Sequence, residues 1–264
     1  MLRCPRSGPP IERKSEMGFL RALEFLTIIP SFIKRETTPR EVGRSLAYFP
    51  IIGLGIGGLL YGLDQLLQLA LPSALANIML LIALVALTGA HHLDGFIDTC
   101  DGMAAGRSPE ERLAIMRDSR VGGLGVVGGC LLLLAKYVSL LVLPGGYRLE
   151  GLILMPVLSR WTMVYAIFGY PYAGGARGMG HAFKEEANWQ RLAIATIVAL
   201  GASLLLMKAL GLVLMAAIWL ILVMMAFFLK RRLGGLTGDT YGAINEMIEV
   251  CVLILVPVIA DAYI

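Results

Sequence analysis

Three aspartates at helical spacing are the residues of this chain best suited to chemistry. Asp94, Asp98 and Asp101 stand at i, i+4 and i+7, so they share one face, within about 60°, if the preceding apolar helix continues through them. Their mutual repulsion at a poorly solvated helix end calls for a compensating cation. Oxygen-only ligands favour Mg²⁺ or Mn²⁺ over zinc, and Mg²⁺ leaves coordination positions to water and phosphate. The alternative is a solvated acidic helix end.

Polar residues flank this stripe on both sides. His92, next to the first aspartate, either assists the chemistry or caps the helix. Downstream, Ser108 is the expected N-cap of a short helix. The stretch that follows adds a fourth carboxylate, Asp118, and two guanidiniums, Arg117 and Arg120. The two arginines either bind phosphate or reflect the excess of positive charge in cytoplasmic loops.

A second group of candidate residues lies near the C-terminus, where a glycine-rich segment at 234–238 precedes an apolar helix. Backbone amides and the dipole of such a helix start attract an anion, which predicts a phosphate-binding loop. Three carboxylates follow on one stripe of the helix. The candidates are Gly235, Gly238, Asp239, Glu246 and Glu249. The alternative is a plain loop with Asp239 as N-cap. We expect this group to face the Asp94 cluster across one cavity.

Two cations fall inside apolar stretches. Arg160 is expensive in a membrane, so we expect it to face the helix bundle and to bind a carboxylate or a phosphate. Lys136 is closer to a helix end, and we expect it to snorkel to the interface.

The composition places these residues in a membrane protein. Of the 264 residues, 57% are hydrophobic and only 16% are charged, whereas about a quarter of an ordinary globular chain is charged. The net charge of +4 comes without a dense basic run, so nucleic acid is not an expected partner. The four cysteines lack paired spacing, which argues against a zinc site or a disulfide framework.

Apolar runs predict an all-α, polytopic fold in which one membrane-embedded domain covers residues 1–264. Residues 1–17 form a polar tail, and the segment from Gly18 to Pro30 is too short to span, so it is expected to lie at the interface or to pack as a half-helix. Seven spans are predicted, at 45–63, 74–93, 121–143, 151–170, 192–207, 209–229 and 241–260. Glycines at 53, 55, 57 and 58 are expected to allow close helix packing.

The basic residues alternate between the loops of this topology. Nineteen Lys and Arg residues fall on one side of the seven spans and two on the other, leaving Lys136 and Arg160 inside helices. Asp64 is the one charge predicted in the first outer loop. Because cytoplasmic loops carry the positive excess, the N-terminus and the acidic motifs are expected on the cytoplasmic side.

These motifs resemble the cobalamin synthase family of adenosylcobinamide-GDP ribazoletransferases. The segments that carry the resemblance are His92–Gly95 with Asp98, Asp101–Gly102, Ile115–Arg120 with Gly122, and Gly234–Asp239. Shorter matches, such as Ser159-Arg160 and Tyr170-Pro171-Tyr172, extend it over about residues 18 to 250. One departure is Ala173-Gly174-Gly175-Ala176-Arg177, where the family more often has an arginine soon after the Tyr-Pro-Tyr stretch.

Membership would imply an Mg²⁺-dependent enzyme of the cytoplasmic (inner) membrane. It would join α-ribazole or its 5′-phosphate to adenosylcobinamide-GDP and release GMP. Displacement at a diphosphate needs metal ions and cationic groups more than a protein nucleophile. The expected catalytic residues are Asp94, Asp98, Asp101, Asp239 and Glu246, and the expected metal ligands are Asp94, Asp98, Asp101 and Asp118. The expected substrate-binding residues are His92, Arg117, Asp118, Arg120, Arg160, Gly235, Gly238 and Glu249.

Two other functions stay open at this stage. The run from Asp98 to Ala105 resembles the start of the CDP-alcohol phosphotransferase signature, although the later pair of aspartates four residues apart is missing: Asp118 is followed at that interval by Gly122. A cation-coupled transporter would also carry acids and an arginine inside the membrane. The sequence leaves the oligomeric state open, including a homo-oligomer.

Overall fold

The computed structural model describes residues 11–30, 38–175 and 178–262, without the side chains of 11–16, 39 and 40. Over these residues the chain is helical, with no β-strand, which confirms the all-α class. The α-helices are α1 (Ile11–Leu26), α2 (Pro39–Ser45), α3 (Phe49–Ala70), α4 (Ser73–Leu87), α5 (His91–Ala105), α6 (Pro109–Met116), α7 (Gly123–Val142), α8 (Arg148–Gly169), α9 (Met179–Glu186), α10 (Trp189–Met207), α11 (Leu210–Leu233) and α12 (Gly238–Asp261).

Six stretches among the described residues are long and apolar enough to cross a membrane. One combines α2 and α3, and the others contain α7, α8, α10, α11 and α12. The helices α4 and α5 meet this standard together, as a pair bent by 90°, and would make a seventh span. The described residues therefore hold six to seven apolar spans, in agreement with the prediction of about seven.

The end of the second predicted span, 74–93, is wrong. α4 stops at Leu87, and α5 begins at His91 after a sharp turn. Gly89 and Ala90 take left-handed backbone conformations, with φ of 62° and 58°, and two consecutive left-handed residues interrupt a right-handed helix. The aspartate stripe therefore lies on a separate helix and is not a continuation of α4.

The N-terminal helix differs in extent from the prediction. α1 begins at Ile11, inside the predicted polar tail at 1–17, and residues 1–10 lie outside the described part of the chain. Ala22 and Leu26 of α1 are fully buried, so the helix packs onto the bundle instead of only lying at an interface.

The helix α8 is the centre of the bundle, and 83% of its most apolar stretch is buried. Gly53 and Gly57 of α3 pack directly on its backbone, where an added Cβ would meet Pro156 or Ile153. These two glycines act as predicted. Gly55 and Gly58 do not, because nothing lies within 4 Å of their added Cβ positions.

A buried polar cluster joins α3, α4 and α8 at the end of the bundle opposite the acidic motifs. Asp64 was predicted to lie in a loop, but α3 extends beyond it and its side chain is fully buried. Arg148 donates from Nε to Asp64 Oδ2 at 2.7 Å and from Nη2 to Asn77 Oδ1 at 2.8 Å. A buried carboxylate needs such a partner. The end predicted for the first span, at residue 63, is wrong because α3 continues to Ala70.

Candidate active site

Two glycines bring the two acidic motifs together. An added Cβ on Gly95 of α5 would stand 2.8 Å from the Cα and carbonyl oxygen of Asp239. An added Cβ on Gly242 of α12 would stand 3.0 Å from the carbonyl oxygen of His92. Real Cβ atoms essentially never come as close as 2.8 Å, and a contact of 3.0 Å is tighter than most of theirs, so the two glycines allow this close packing of α5 on α12.

A cavity of about 250 Å³ lies where these helices meet. Asp94 and Asp239 both line it, with Gly238 between helix and loop. His92 and Tyr241 form part of the same wall. The expectation that the two motifs share one cavity is met by Asp94 and Asp239, although 145 residues separate them in the chain.

The carboxylates around this cavity repel one another. Asp98 does not line the cavity but lies within electrostatic range of Asp94, Asp101 and Asp239. The side chain of Asp94 is exposed, while Asp98 and Asp239 are half-buried. No three His, Cys, Asp or Glu residues of the described ranges form a ready metal-binding group. Mg²⁺, however, is commonly held by one or two carboxylates together with substrate phosphates. The carboxylates of Asp94 and Asp98 suit a site of this kind, in which the substrate completes the coordination.

Asp101 has a clear structural partner. Its Oδ2 accepts a hydrogen bond from the Gly122 amide at 2.7 Å, and its Oδ1 accepts one from the Gly125 amide at 2.6 Å. These amides belong to the unsatisfied first turn of α7, where a carboxylate also meets the positive end of the helix dipole. Asp101 therefore ties α5 to α7, and both of its carboxylate oxygens are already bound by backbone amides.

The loop between α6 and α7 carries Asp118 and Arg120, which bind each other at the surface. Arg120 donates from its Nη2 to Asp118 Oδ2 at 2.7 Å and from its backbone amide to Asp118 Oδ1 at 3.0 Å. These bonds lower the pKa of Asp118 to about 2. Neither side chain lines the cavity that holds Asp94 and Asp239. The N-cap predicted at Ser108 is confirmed, since its side chain accepts from the Glu111 amide at 3.2 Å.

Arg117 is the cation of this loop that faces the acidic motifs. It is exposed and lies within electrostatic range of Asp239 and Tyr172. Burial, reinforced by the charge of Asp239, raises the pKa of the Tyr172 hydroxyl. A cation, an acid and a phenol thus meet at the edge of the site.

The glycine-rich segment is held by the loop after α8. Leu236 donates its amide to Pro171 O and accepts from the Ala173 amide, both at 2.8 Å. Gly235 packs so closely here that an added Cβ would stand 2.7 Å from Pro171 O. The N-cap of α12 is Thr237, which forms a capping box with Thr240. The alternative in which Asp239 is the N-cap is therefore wrong, and Asp239 sits in the first turn.

A buried ionic network connects α7, α8 and α12 deeper in the bundle. Lys136 donates to Glu246 at 2.6 Å and also binds Glu249. Arg160 binds Glu249 and donates to Ser159 Oγ at 2.8 Å. The two cations and two carboxylates are all at least 92% buried.

This network changes two expectations. Lys136 does not snorkel to the interface: it is 1% exposed and bound to two glutamates, because charged groups in a membrane are stable when paired. Arg160 faces the bundle and binds a carboxylate, as one of its two predicted roles requires. Glu246 and Glu249 were expected beside the Asp94 cluster, but their carboxylates are bound to these cations instead.

Comparison with known proteins identifies the relatives of this chain. A protein-family model described as "Cobalamin-5-phosphate synthase" matches residues 18–257. The chain belongs to this cobalamin-5-phosphate synthase family. A relative from Desulforamulus reducens, named adenosylcobinamide-GDP ribazoletransferase, is 37% identical over 89% of this chain and 94% of its own. One of the same name from Geotalea daltonii is 38% identical over 90% and 96%. No solved structure matches the chain significantly.

In this cobalamin-5-phosphate synthase family member, the sequence analysis named His92 but overlooked Tyr241, and both line the cavity. Tyr241 is 2% exposed, and its hydroxyl has no hydrogen-bond partner among the described residues. Both ring nitrogens of His92 likewise lack a described partner. Because buried polar atoms normally find partners, these groups are suited to a ligand or water in the cavity. Tyr241 follows Asp239 by only two positions, so its place at a helix start was a usable signal.

Proposed function

We propose that this protein transfers the corrinoid phosphate of adenosylcobinamide-GDP to α-ribazole or its 5′-phosphate. A hydroxyl oxygen of the ribazole attacks the phosphorus next to the corrinoid. The bond from that phosphorus to the bridging oxygen of the diphosphate breaks, and GMP leaves. The proton of the attacking hydroxyl goes to a carboxylate or to water. The products are adenosylcobalamin, or its 5′-phosphate, and GMP.

The observation that carries this proposal is the meeting of Asp94 and Asp239 in one cavity. A phosphoryl transfer needs a group on one side that holds the diphosphate and a group on the other that orients the hydroxyl. Asp94, with Asp98 behind it, is suited to the diphosphate side. Asp239 is suited to the hydroxyl, because a base must come within hydrogen-bond reach of the proton it takes.

The proposed enzyme depends on Mg²⁺, which Asp94 and Asp98 would hold. Bound there, the ion would neutralise charge on the diphosphate. The chain itself would add Arg117 at the edge of the cavity and the backbone of Gly238 at the start of α12, where the helix dipole favours a phosphate. Both are placed to bind the charged part of the substrate without forming a covalent bond to it.

The proposed location is the cytoplasmic membrane, with the N-terminus and the acidic cavity on the cytoplasmic side. The support is the distribution of basic residues, 19 on one side and two on the other. A substrate with two phosphates is charged and water-soluble at that end, so a site near the membrane surface suits it.

The deciding experiment is a GMP-release assay with purified protein in liposomes. We expect GMP and a corrinoid product in equal amounts when adenosylcobinamide-GDP, α-ribazole and Mg²⁺ are all present, and neither product when one is left out. A CDP-alcohol phosphotransferase would release CMP from a CDP-alcohol, and a transporter would release no nucleotide. Absence of GMP under all conditions would refute the proposal.

A further inference from the structure

A second cavity, of about 450 Å³, lies between α1, α2 and α9. Its walls are mainly apolar and include Phe25, Val42, Met179, Ala182 and Phe183. This volume falls in the range of about 300–1,000 Å³ that is typical of small-molecule sites. The cavity is therefore large enough for a heterocyclic ring system and offers it little polar surface.

The second cavity adjoins the acidic one. Phe25, Met179 and Phe183 line both cavities. A molecule that fills the apolar cavity therefore touches the same three side chains as a molecule beside Asp94 and Asp239. Two binding surfaces therefore lie on either side of these three side chains, one apolar and one acidic.

An aromatic cluster holds the shared wall in place. The rings of Phe25 and Phe183 meet edge to face with centroids 4.8 Å apart, and Phe49 packs against both, at 5.7 and 5.6 Å. Phe49 and Phe183 are 0% and 2% exposed. Rings fixed in this way present a rigid aromatic surface, and flat heterocycles pack well on such a surface.

We propose that this cavity binds the aromatic base of the ribazole substrate, so that the attached ribose reaches the acidic cavity. This proposal rests on the proposed function. The apolar benzimidazole ring of ribazole suits these walls better than guanine, whose edges carry several donors and acceptors that need partners. Of the charged side chains at this cavity, Arg21 and Glu24 already bind each other at 2.6 Å.

The sharpest test is to fill the cavity with Ala182→Phe. Ala182 lines this cavity but not the acidic one. We expect KM for α-ribazole to rise by at least about tenfold, since even one misplaced methylene changes discrimination by about 10-fold or more. KM for adenosylcobinamide-GDP should stay within about twofold, because the phosphate-binding residues are untouched. Glu185→Phe adds the same ring to α9 at a side chain that is 63% exposed, and it should leave both values unchanged.

A second variant and a binding measurement protect the test against misfolding. Met179→Ala trims an exposed wall residue and should raise KM for α-ribazole by several-fold without adding bulk. α-Ribazole alone should raise the Tm of the wild-type protein and of Glu185→Phe, but not that of Ala182→Phe.

Three outcomes would overturn the proposal while the wild-type protein still releases GMP. In the first, Ala182→Phe raises KM for adenosylcobinamide-GDP instead of α-ribazole, which would assign the cavity to guanine or the corrinoid. In the second, Ala182→Phe folds and neither KM changes; in the third, α-ribazole raises the Tm of Ala182→Phe as much as that of the wild type. Failure of the wild-type protein to release GMP would instead refute the proposed function.

Discussion

The acidic cavity and the ionic network treat the same kind of residue in opposite ways. Asp94 and Asp239 line the cavity and repel each other and the nearby Asp98, while the exposed Arg117 lies within electrostatic range of Asp239. In the network, Glu246 and Glu249 are matched by Lys136 and Arg160, and all four are buried. The two regions share α12, yet one has excess negative charge beside an open space and the other is neutral and closed.

The difference separates function from support. Carboxylates that lack internal cations are costly unless something outside the chain compensates them, which is the reason for proposing a cation at the cavity. The paired charges of the network need no external ion. Removing one partner of such a pair leaves the other charge buried and uncompensated. We therefore expect changes at the cavity to affect turnover, and changes in the network to affect stability.

The largest effect on turnover is expected from Asp98→Asn. It removes a charge and one oxygen of the proposed Mg²⁺ site, a contribution of several kcal/mol, so turnover should fall by at least about 100-fold while Tm stays close to that of the wild type. GMP release over a range of Mg²⁺ concentrations measures it. Glu110→Gln, an exposed carboxylate of α6, is the control and should behave as wild type. Near-normal turnover of Asp98→Asn at limiting Mg²⁺ would remove Asp98 from the site.

The largest effect on stability is expected from Glu249→Gln. Breaking a buried ion pair by removing one partner costs about 3–5 kcal/mol, because Lys136 and Arg160 would then share Glu246 alone. Thermal unfolding in detergent measures the loss. The double variant Lys136→Met/Glu249→Gln restores neutrality and should be more stable than the single variant. If both unfold alike, charge balance is not what the network supplies.

A smaller effect, on both properties, is expected from Gly95→Ala. The new Cβ would stand 2.8 Å from the backbone of Asp239, so α5 must move away from α12 at a cost of about 1–3 kcal/mol. Asp94 and Asp239 would separate, and turnover should drop as well. Gly55→Ala, where nothing lies within 4 Å, is the matched control and should not lose stability. A Gly95→Ala protein with full activity would show that the close approach is unnecessary for the reaction.

The smallest effect is expected from Arg160→Lys. Arg160 binds both Glu249 and Ser159 through Nη1. Lysine keeps the charge that Glu249 needs, but its shorter side chain does not bring a donor to the position of Nη1, so about 1–2 kcal/mol of stability should be lost. Turnover should fall only as far as the packing of α8 changes. A drop in turnover without any loss of stability would instead indicate that Arg160 contacts a substrate phosphate. The network would then take part in the reaction, like the cavity, and would not serve stability alone.

The sequence predicted the fold class well because membrane spans follow from local composition. Long apolar runs must form helices in a bilayer, where backbone groups have no other partners. The aspartate stripe, the N-cap at Ser108 and the inward-facing Arg160 were predictable for similar local reasons. The break at Gly89 and Ala90 was not, because an apolar run carries no sign of a left-handed turn in its middle.

The pairing of charges was decided by tertiary structure alone. In the sequence, Lys136, Glu246 and Arg160 are each a costly charge in an apolar stretch. From local features alone, we expected Lys136 at the interface and Glu246 at the cavity. In the chain, 110 residues separate Lys136 from Glu246, and 89 residues separate Arg160 from Glu249. No sequence periodicity encodes separations of this size.

The sequence by itself determined the all-α membrane class, the positions of most apolar spans and, through its motifs, which family the chain resembles. Only the tertiary structure decided which acids remain uncompensated, which are bound to buried cations or helix starts, and which apolar surface adjoins them. The physical reason is range. Helix formation and membrane insertion depend on neighbours within a few turns, whereas the energy of a buried charge depends on the groups that packing brings within a few ångströms.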